Sequence, residues 1–437
     1  MQQAPFTYNL LSAAGLFFVC ALAWLSGRDR KKVRWATVAW GLGLQLLMGL
    51  LVFTIPAGRT VLLWVNQAVA ALLDHAKAGI DFLFGPLAIG PGQKGPGGQA
   101  SLGFILAVQA LPTVIFFMAF SALLYQAGIM QRVLRLFSRV FVRTLGTSGA
   151  ESLGVASNIF VGVESAGMVR PFLATLTRSE FFCILTACMA TVASSVLGVY
   201  VMTLRELFPN IAGHLVSASI ISAPAAIVVA KLMEPETGEP LTLGRTVDPA
   251  LGRYSGLMEA VIKGSLDGVK LVVGIVALLI SFLSLVSLAD GILAWLGNLL
   301  GITGLSFQLI LSYLAWPLAL AMGVPPADAG VVAGLLGERA LVTEIPAYMD
   351  LAGLITGGKI VYARSIMVAS YALCGFAHVG SVAIFVGGYA ALVPSRLAEL
   401  SRLGLKALWA ATLATVMTGC VAGIFATGGG TLLGLTR

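Results

Sequence analysis

The chain has 437 residues, of which 58% are hydrophobic and 11% charged, and its formal net charge is +8. An ordinary soluble domain is about a quarter charged. This composition, with a mean hydropathy of +0.95, excludes a soluble globular protein and leaves room for roughly eight to ten membrane spans of ~20 residues.

Apolar runs over 8–26 and 34–55 predict the first two spans. Gln2 and Gln3 stand where a leader would be basic, so the first run reads as a span and not a cleaved signal. Arg28, Arg30, Lys31, Lys32 and Arg34 cluster between these spans. Such clusters follow the positive-inside rule and argue against nucleic-acid contact; this one puts the first loop in the cytoplasm and the N-terminus outside. Residues 59–85, with Asp74, His75, Lys77 and Asp81, predict an interfacial helix. The Gly-rich stretch 90–103 predicts a loop and 104–126 a third span. Arg132, Arg135, Arg139 and Arg143 mark 128–144 as a cytoplasmic interfacial helix.

Residues 145–176 are too polar and Gly-rich to face lipid. Irregular backbone at membrane depth is tolerated only inside protein or along a cavity, so a re-entrant hairpin turning near 162–167 is expected. Segment 180–205 follows, with ATVASSVLG at mid-span. Two more spans are predicted over 215–232 and 264–288. Then the plan repeats: 324–350 is again polar, Gly-rich and bounded by prolines, and 362–392 carries GFAHVGSVA at mid-span. Polar stretches 89–101 and 233–256 are too short for a soluble domain. The five cysteines are scattered in apolar runs and read as packing residues.

Glu164 and Glu344 each lie in one of the two hairpin segments. A carboxylate at membrane depth is a functional-site hypothesis by default. Two interrupted segments at matching places in two halves are the pattern of a carrier with internal repeats. The alternative is an ion pair, Glu164 with Arg170 or Glu344 with Arg339, while Glu338 and Arg339 read as a charged pair at a hairpin base. Asn158, the Val161 carbonyl and Thr191 offer hard neutral oxygens suited to Na+, with Ser195 four residues after Thr191 on one helical face. The hydroxyls could equally serve close helix packing. His378 sits at mid-span beside Phe376 and Ser381. It can line a pocket or titrate near neutrality, or merely pack. No G-x-S-x-G accompanies His378 and Ser381, so an intramembrane hydrolase is disfavoured. Nor is there a nucleotide-binding, metal or redox-cofactor motif, so the chain reads as an ion-driven carrier and not an enzyme.

Several long motifs, in order, resemble the concentrative nucleoside transporter family. LGTSGAESLGVASNIFVGVESAGMVRPFLATLTRSE is similar to its first hairpin, and LGERALVTEIPAYMDL to its second. ALCGFAHVGSVAIFVGG is similar to the broken helix that follows, and QALPTVIFFMAFSALLYQAGIMQRV to its third span and interfacial helix. The resemblance implies an all-α polytopic membrane protein with about eight transmembrane helices, two re-entrant hairpins in inverted repeats, and interfacial helices. It implies scaffold helices and a periplasmic loop over 1–127, an interfacial helix over 128–144 and a first transport repeat over 145–232. A linker and scaffold span over 233–304 and a second transport repeat over 305–437 complete the plan.

It further implies nucleoside import by symport with Na+, or H+, by a homotrimer in the bacterial cytoplasmic (inner) membrane, with no cofactor. The family's G-Q-T/S-E core becomes Gly162, Val163 and Glu164, one residue shorter and without the amide that reads the base. The resemblance puts Glu344, Phe376 and Ser381 against the ribose, His378 in place of an Asn, and Val196 beside the base. Its Na+ ligands fall on Asn158, Val161, Thr191 and Ser195. The departures predict altered base preference, for a modified nucleoside or another polar planar solute. A membrane-embedded sensor or assembly protein that binds nucleosides without accumulating them is the second reading.

Overall fold

The computed structural model describes residues 2–90, 93–95, 98–162, 165–250, 254–301 and 304–426. Its elements are helices, with three isolated bridges besides. Among the described residues seven helical segments are long and apolar enough to cross a membrane. Two shorter apolar helices, Phe307–Ala321 and Val379–Leu392, accompany them. The protein is therefore a multi-pass, all-helical membrane protein.

Helices α1 (Thr7–Leu25) and α2 (Trp35–Phe53) form the first two expected spans. The predicted interfacial segment is one helix, α3 (Pro56–Phe84), started by a proline whose missing N–H costs nothing at that position. α4 (Pro112–Gln126) is the third span. α5 (Ile129–Leu145) runs between Gly128 and Gly146, both with positive φ, which closes the helix sharply at each end. It buries Leu134, Phe141 and Leu145, while its arginines at three- and four-residue spacing stay outside that face.

Two helix starts lock together below the first hairpin segment. α6 (Gly149–Phe160) begins with a capping box, Ser148 with Glu151, and α7 (Arg178–Ala190) with another, Thr177 with Glu180. Ser148 Oγ also donates to Glu180, so each start satisfies part of the other. α7 stops at Thr191, whose backbone is extended, and α8 (Ser194–Leu204) resumes after a short break. α9 (Ile211–Met233) returns, carrying Pro224 inside it.

α10 (Leu257–Leu299) has 43 residues, far longer than the predicted 264–288. Gly264 and Gly268 let it lie directly on α4: a Cβ there would come within 2.8 Å of Ala119 Cα and 2.7 Å of Ile115 Cα. α11 (Phe307–Ala321) turns tightly into α12 (Pro326–Leu341). α13 (Glu344–Thr356), α14 (Ala363–Leu373), α15 (Val379–Leu392) and α16 (Leu397–Phe425) complete the chain. A helix (α6, α12), a broken helix (α7–α8, α14–α15) and a span (α9, α16) thus follow in the same order in both halves. Basic residues gather at one end: the Arg28 backbone N–H donates to the Met233 carbonyl, Lys406 reaches Met233 and Glu234, and Arg178 pairs with Glu234. All five cysteines are free thiols.

Candidate functional site

Helices broken at mid-span leave free backbone groups, and side chains placed there can collect a polar ligand. Both breaks open on one cavity of about 450 Å³. The first half contributes Gly162, Ala193, Ser195 and Val196; the second contributes Glu344, Phe376, His378 and Ser381. The third wall is α10, through Leu271, Ile275 and Leu278, with Asp267 and Lys270 further along, paired at 2.9 Å. This wall was not anticipated, because nothing in an apolar run says which face meets a cavity.

The polar pole is built from two helix starts. Glu344 opens α13 and is 2% exposed, so its carboxylate benefits from the positive end of that helix. Tyr200 Oη donates to Glu344 Oε1 at 2.6 Å. Tyr200 in turn stacks on Tyr348, with ring centroids 4.8 Å apart. Glu344 Oε2 has no hydrogen-bond partner among the described residues and lies 3.4 Å from His378 Nε2.

His378 caps α15. Its Nδ1 accepts from the Ser381 backbone N–H at 3.1 Å, and Ser381 Oγ donates to the His378 carbonyl at 2.6 Å. A nitrogen that accepts cannot carry a proton, so the imidazole is the neutral tautomer with its hydrogen on Nε2, facing Glu344. Phe376 stands edge-on to His378 with centroids 6.4 Å apart. The pole therefore presents one free carboxylate oxygen and one N–H donor beside aromatic and aliphatic walls.

A second cluster lies behind the cavity at the end of α6. Thr191 Oγ1 donates to the Asn158 carbonyl at 2.9 Å, and Ser165 Oγ to Asn158 Oδ1 at 2.9 Å. Ser219 Oγ approaches the carbonyls of Ile159 (3.4 Å) and Val192 (3.3 Å). Val161 is extended, so α6 ends there and its carbonyl lies outside the helical ladder. These are neutral oxygens, the donor set that suits an alkali cation.

Two expectations change. Thr191 and Ser195 do not share a helical face, because the break lies between them. Ser195 lines the cavity, while its neighbour Ser194 donates to the Phe160 carbonyl at 2.6 Å. Arg339 is not in an ion pair with Glu338 or Glu344; it is fully buried and donates to the Ala372 carbonyl and to Thr415 Oγ1. Val163 and Glu164 lie outside the described residues. Sequence reading missed Tyr200 and Ser219, although an isolated hydroxyl in an otherwise apolar span is a usable signal.

Residues 14–87 and 214–423 match the N-terminal and C-terminal profiles of the Na+ dependent nucleoside transporters, and 107–207 match the nucleoside recognition gate profile. Human solute carrier family 28 member 3 is 36% identical over 430 residues, which cover 95% of this chain and 60% of that protein. Human sodium/nucleoside cotransporter 1 is 35% identical and covers 95% of this chain and 64% of its own length. The chain therefore spans about three fifths of these relatives. The structure of CNTnw in an inward-facing substrate-bound state superposes with a TM-score of 0.87 at 32% identity, covering 98% of this chain and 100% of that one.

Proposed function

This chain belongs to the Na+-dependent nucleoside transporter family, and we propose that it imports nucleosides or nucleoside-like solutes by symport with Na+. The observation that carries this reading is Glu344 Oε2, buried without a hydrogen bond at the polar pole of a cavity whose lining is mainly apolar. His378 Nε2–H, 3.4 Å away, makes no hydrogen bond to it, and a buried acceptor left so is costly unless a ligand supplies a donor. Ribose hydroxyls are such donors, and His378 Nε2–H can donate to a neighbouring oxygen of the same sugar. Phe376 and Val196 offer the flat apolar surface a base requires. Gly162, Val163 and Glu164 match in sequence the motif that reads the base in this family; Val163 in place of its amide supports a reading of weak base discrimination.

In this reading Na+ binds at Asn158, Val161, Thr191 and the neighbouring Val192 carbonyl. Ion and solute then share one hairpin, so each stabilises the closed form for the other. Proton coupling through His378 is disfavoured, because protonating Nδ1 would break the cap it provides. We take the basic end of the molecule to be cytoplasmic, the N-terminus to be outside, and the bilayer to be a bacterial inner membrane. The repeats at 145–232 and 305–437 would move against a scaffold formed by the remaining spans. A homotrimer fits the exposed apolar side chains of α10, among them Val273, Ile280, Leu283 and Trp295.

The test is uptake of labelled uridine and adenosine into proteoliposomes with and without an inward Na+ gradient, with Glu164→Gln and Glu344→Gln as controls. Na+-dependent accumulation that both variants lose is the expected result. Binding without accumulation would point to a sensor instead.

A further inference from the structure

Repeats related by a two-fold axis put matched residues at matched places, and on the axis itself they meet each other. Ser222 of α9 and Thr418 of α16 meet in this way, with hydroxyls 2.8 Å apart. Three residues earlier on each helix stand Ser219 and Thr415. Ser219 approaches the oxygen cluster at the end of α6, through the carbonyls of Ile159 and Val192. Thr415 Oγ1 instead accepts from Arg339 Nη1 at 2.9 Å.

The match extends to the hairpin arms. Asn158 is two residues before the end of α6 at Phe160, and Arg339 is two residues before the end of α12 at Leu341. The Asn158 carbonyl is tied to Thr191, where α7 ends. Arg339 Nη1 donates to the carbonyl of Ala372, in the last turn of α14. Among the described residues, one repeat therefore holds a nest of neutral oxygens with no cationic side chain, and the other holds a guanidinium at the equivalent place.

Arg339 is fully buried, and its Nε and Nη2 have no partner among the described residues. It lies within electrostatic reach of Glu344 and His378. A cation held by a helix C-terminal carbonyl and a hydroxyl has the surroundings of a bound alkali ion. We propose that Arg339 is a tethered counterpart of the coupling ion, so that the carrier takes one Na+ per cycle and not two. This rests on the reading of Asn158, Val161 and Thr191 as the mobile-ion site.

The test is equilibrium binding of radiolabelled Na+ to the purified full chain, beside uridine uptake in proteoliposomes. The wild type and R339K are expected to bind one Na+ per protomer, and T191V to lose it. R339A opens the tethered position, so its Na+ count should rise to two and its Hill coefficient for Na+ should move from one toward two. Two Na+ per wild-type protomer, or an R339A count that stays at one, overturns the proposal. Should R339A not fold, the wild-type and R339K counts decide: two ions in the first, or none in the second, has the same effect. A single Na+ without uridine uptake leaves Arg339 supported and counts against the carrier reading alone. A wild type that binds no Na+ removes both.

Discussion

Replacing Glu344 by Gln isolates the charge at the polar pole of the cavity. Tyr200 Oη donates to Oε1 at 2.6 Å, so the amide carbonyl must stay beside Tyr200. The NH2 group then takes the place of Oε2, facing the cavity and His378 Nε2 at 3.4 Å. Nε2 already carries the imidazole proton, because Nδ1 accepts from Ser381. The variant therefore turns a donor toward a donor, and a ligand hydroxyl there loses its acceptor. A hydrogen bond to a charged group contributes about 1.5–3 kcal/mol, or roughly 10- to 150-fold in Kd. Titration calorimetry with uridine at saturating Na+ should show a loss of that size with Na+ binding unchanged. Of 2′- and 3′-deoxyuridine, one should weaken in the wild type by a similar factor and show no further loss in the variant. A Glu344→Gln protein that binds uridine within about threefold of wild type, or that loses both analogues additively, would refute the placement.

Further outcomes are expected alongside it. His378→Ala removes the α15 cap and should lower stability in detergent by about 1 kcal/mol, whereas His378→Asn keeps a capping oxygen and should not. At a fixed Na+ gradient, acidification is not expected to raise uptake; a rise would signal H+ coupling. Lys231→Met strands Glu151, its buried partner at 2.6 Å, and should cost about 3–5 kcal/mol; the double variant with Glu151→Gln should melt closer to wild type. Gly375→Ala puts a Cβ 2.9 Å from the Ala190 carbonyl and 2.7 Å from Thr415, an overpacking of about 1–3 kcal/mol that a thermal melt would detect.

The spans and both mid-span breaks were legible because each leaves a local mark: an apolar run, or small residues inside a helix. Residues at one break converge with residues at the other, so Glu344, His378, Ser381 and Val196 could be grouped from spacing and resemblance before any coordinates. What spacing cannot give is where a helix stops. Thr191 and Ser195 have helical separation, yet the chain is extended at 191, and that single feature sends Ser195 to the cavity and Ser194 to the hairpin. Arg339 misled for a related reason. An arginine beside a glutamate reads as a charged pair at a hairpin base, and only the crossing of α12, α14 and α16 shows that it is enclosed.

The length of α10 serves as a depth gauge. Charged residues avoid hydrocarbon, and from Leu271 to Ala289 the helix has none, a run of 19 residues. At about 1.5 Å per residue that is roughly 28 Å, close to the ~30 Å of a bilayer core. The first turns, with Glu259, Lys263, Asp267 and Lys270, must then stand in the headgroup layer. Since Asp267 and Lys270 line the same cavity as Leu278, its mouth opens at the membrane surface and its wall descends ~12 Å along α10. A spin label at Asp267 should be quenched by a water-soluble relaxation agent and one at Leu283 by oxygen dissolved in lipid; the reverse order would place the solute far deeper.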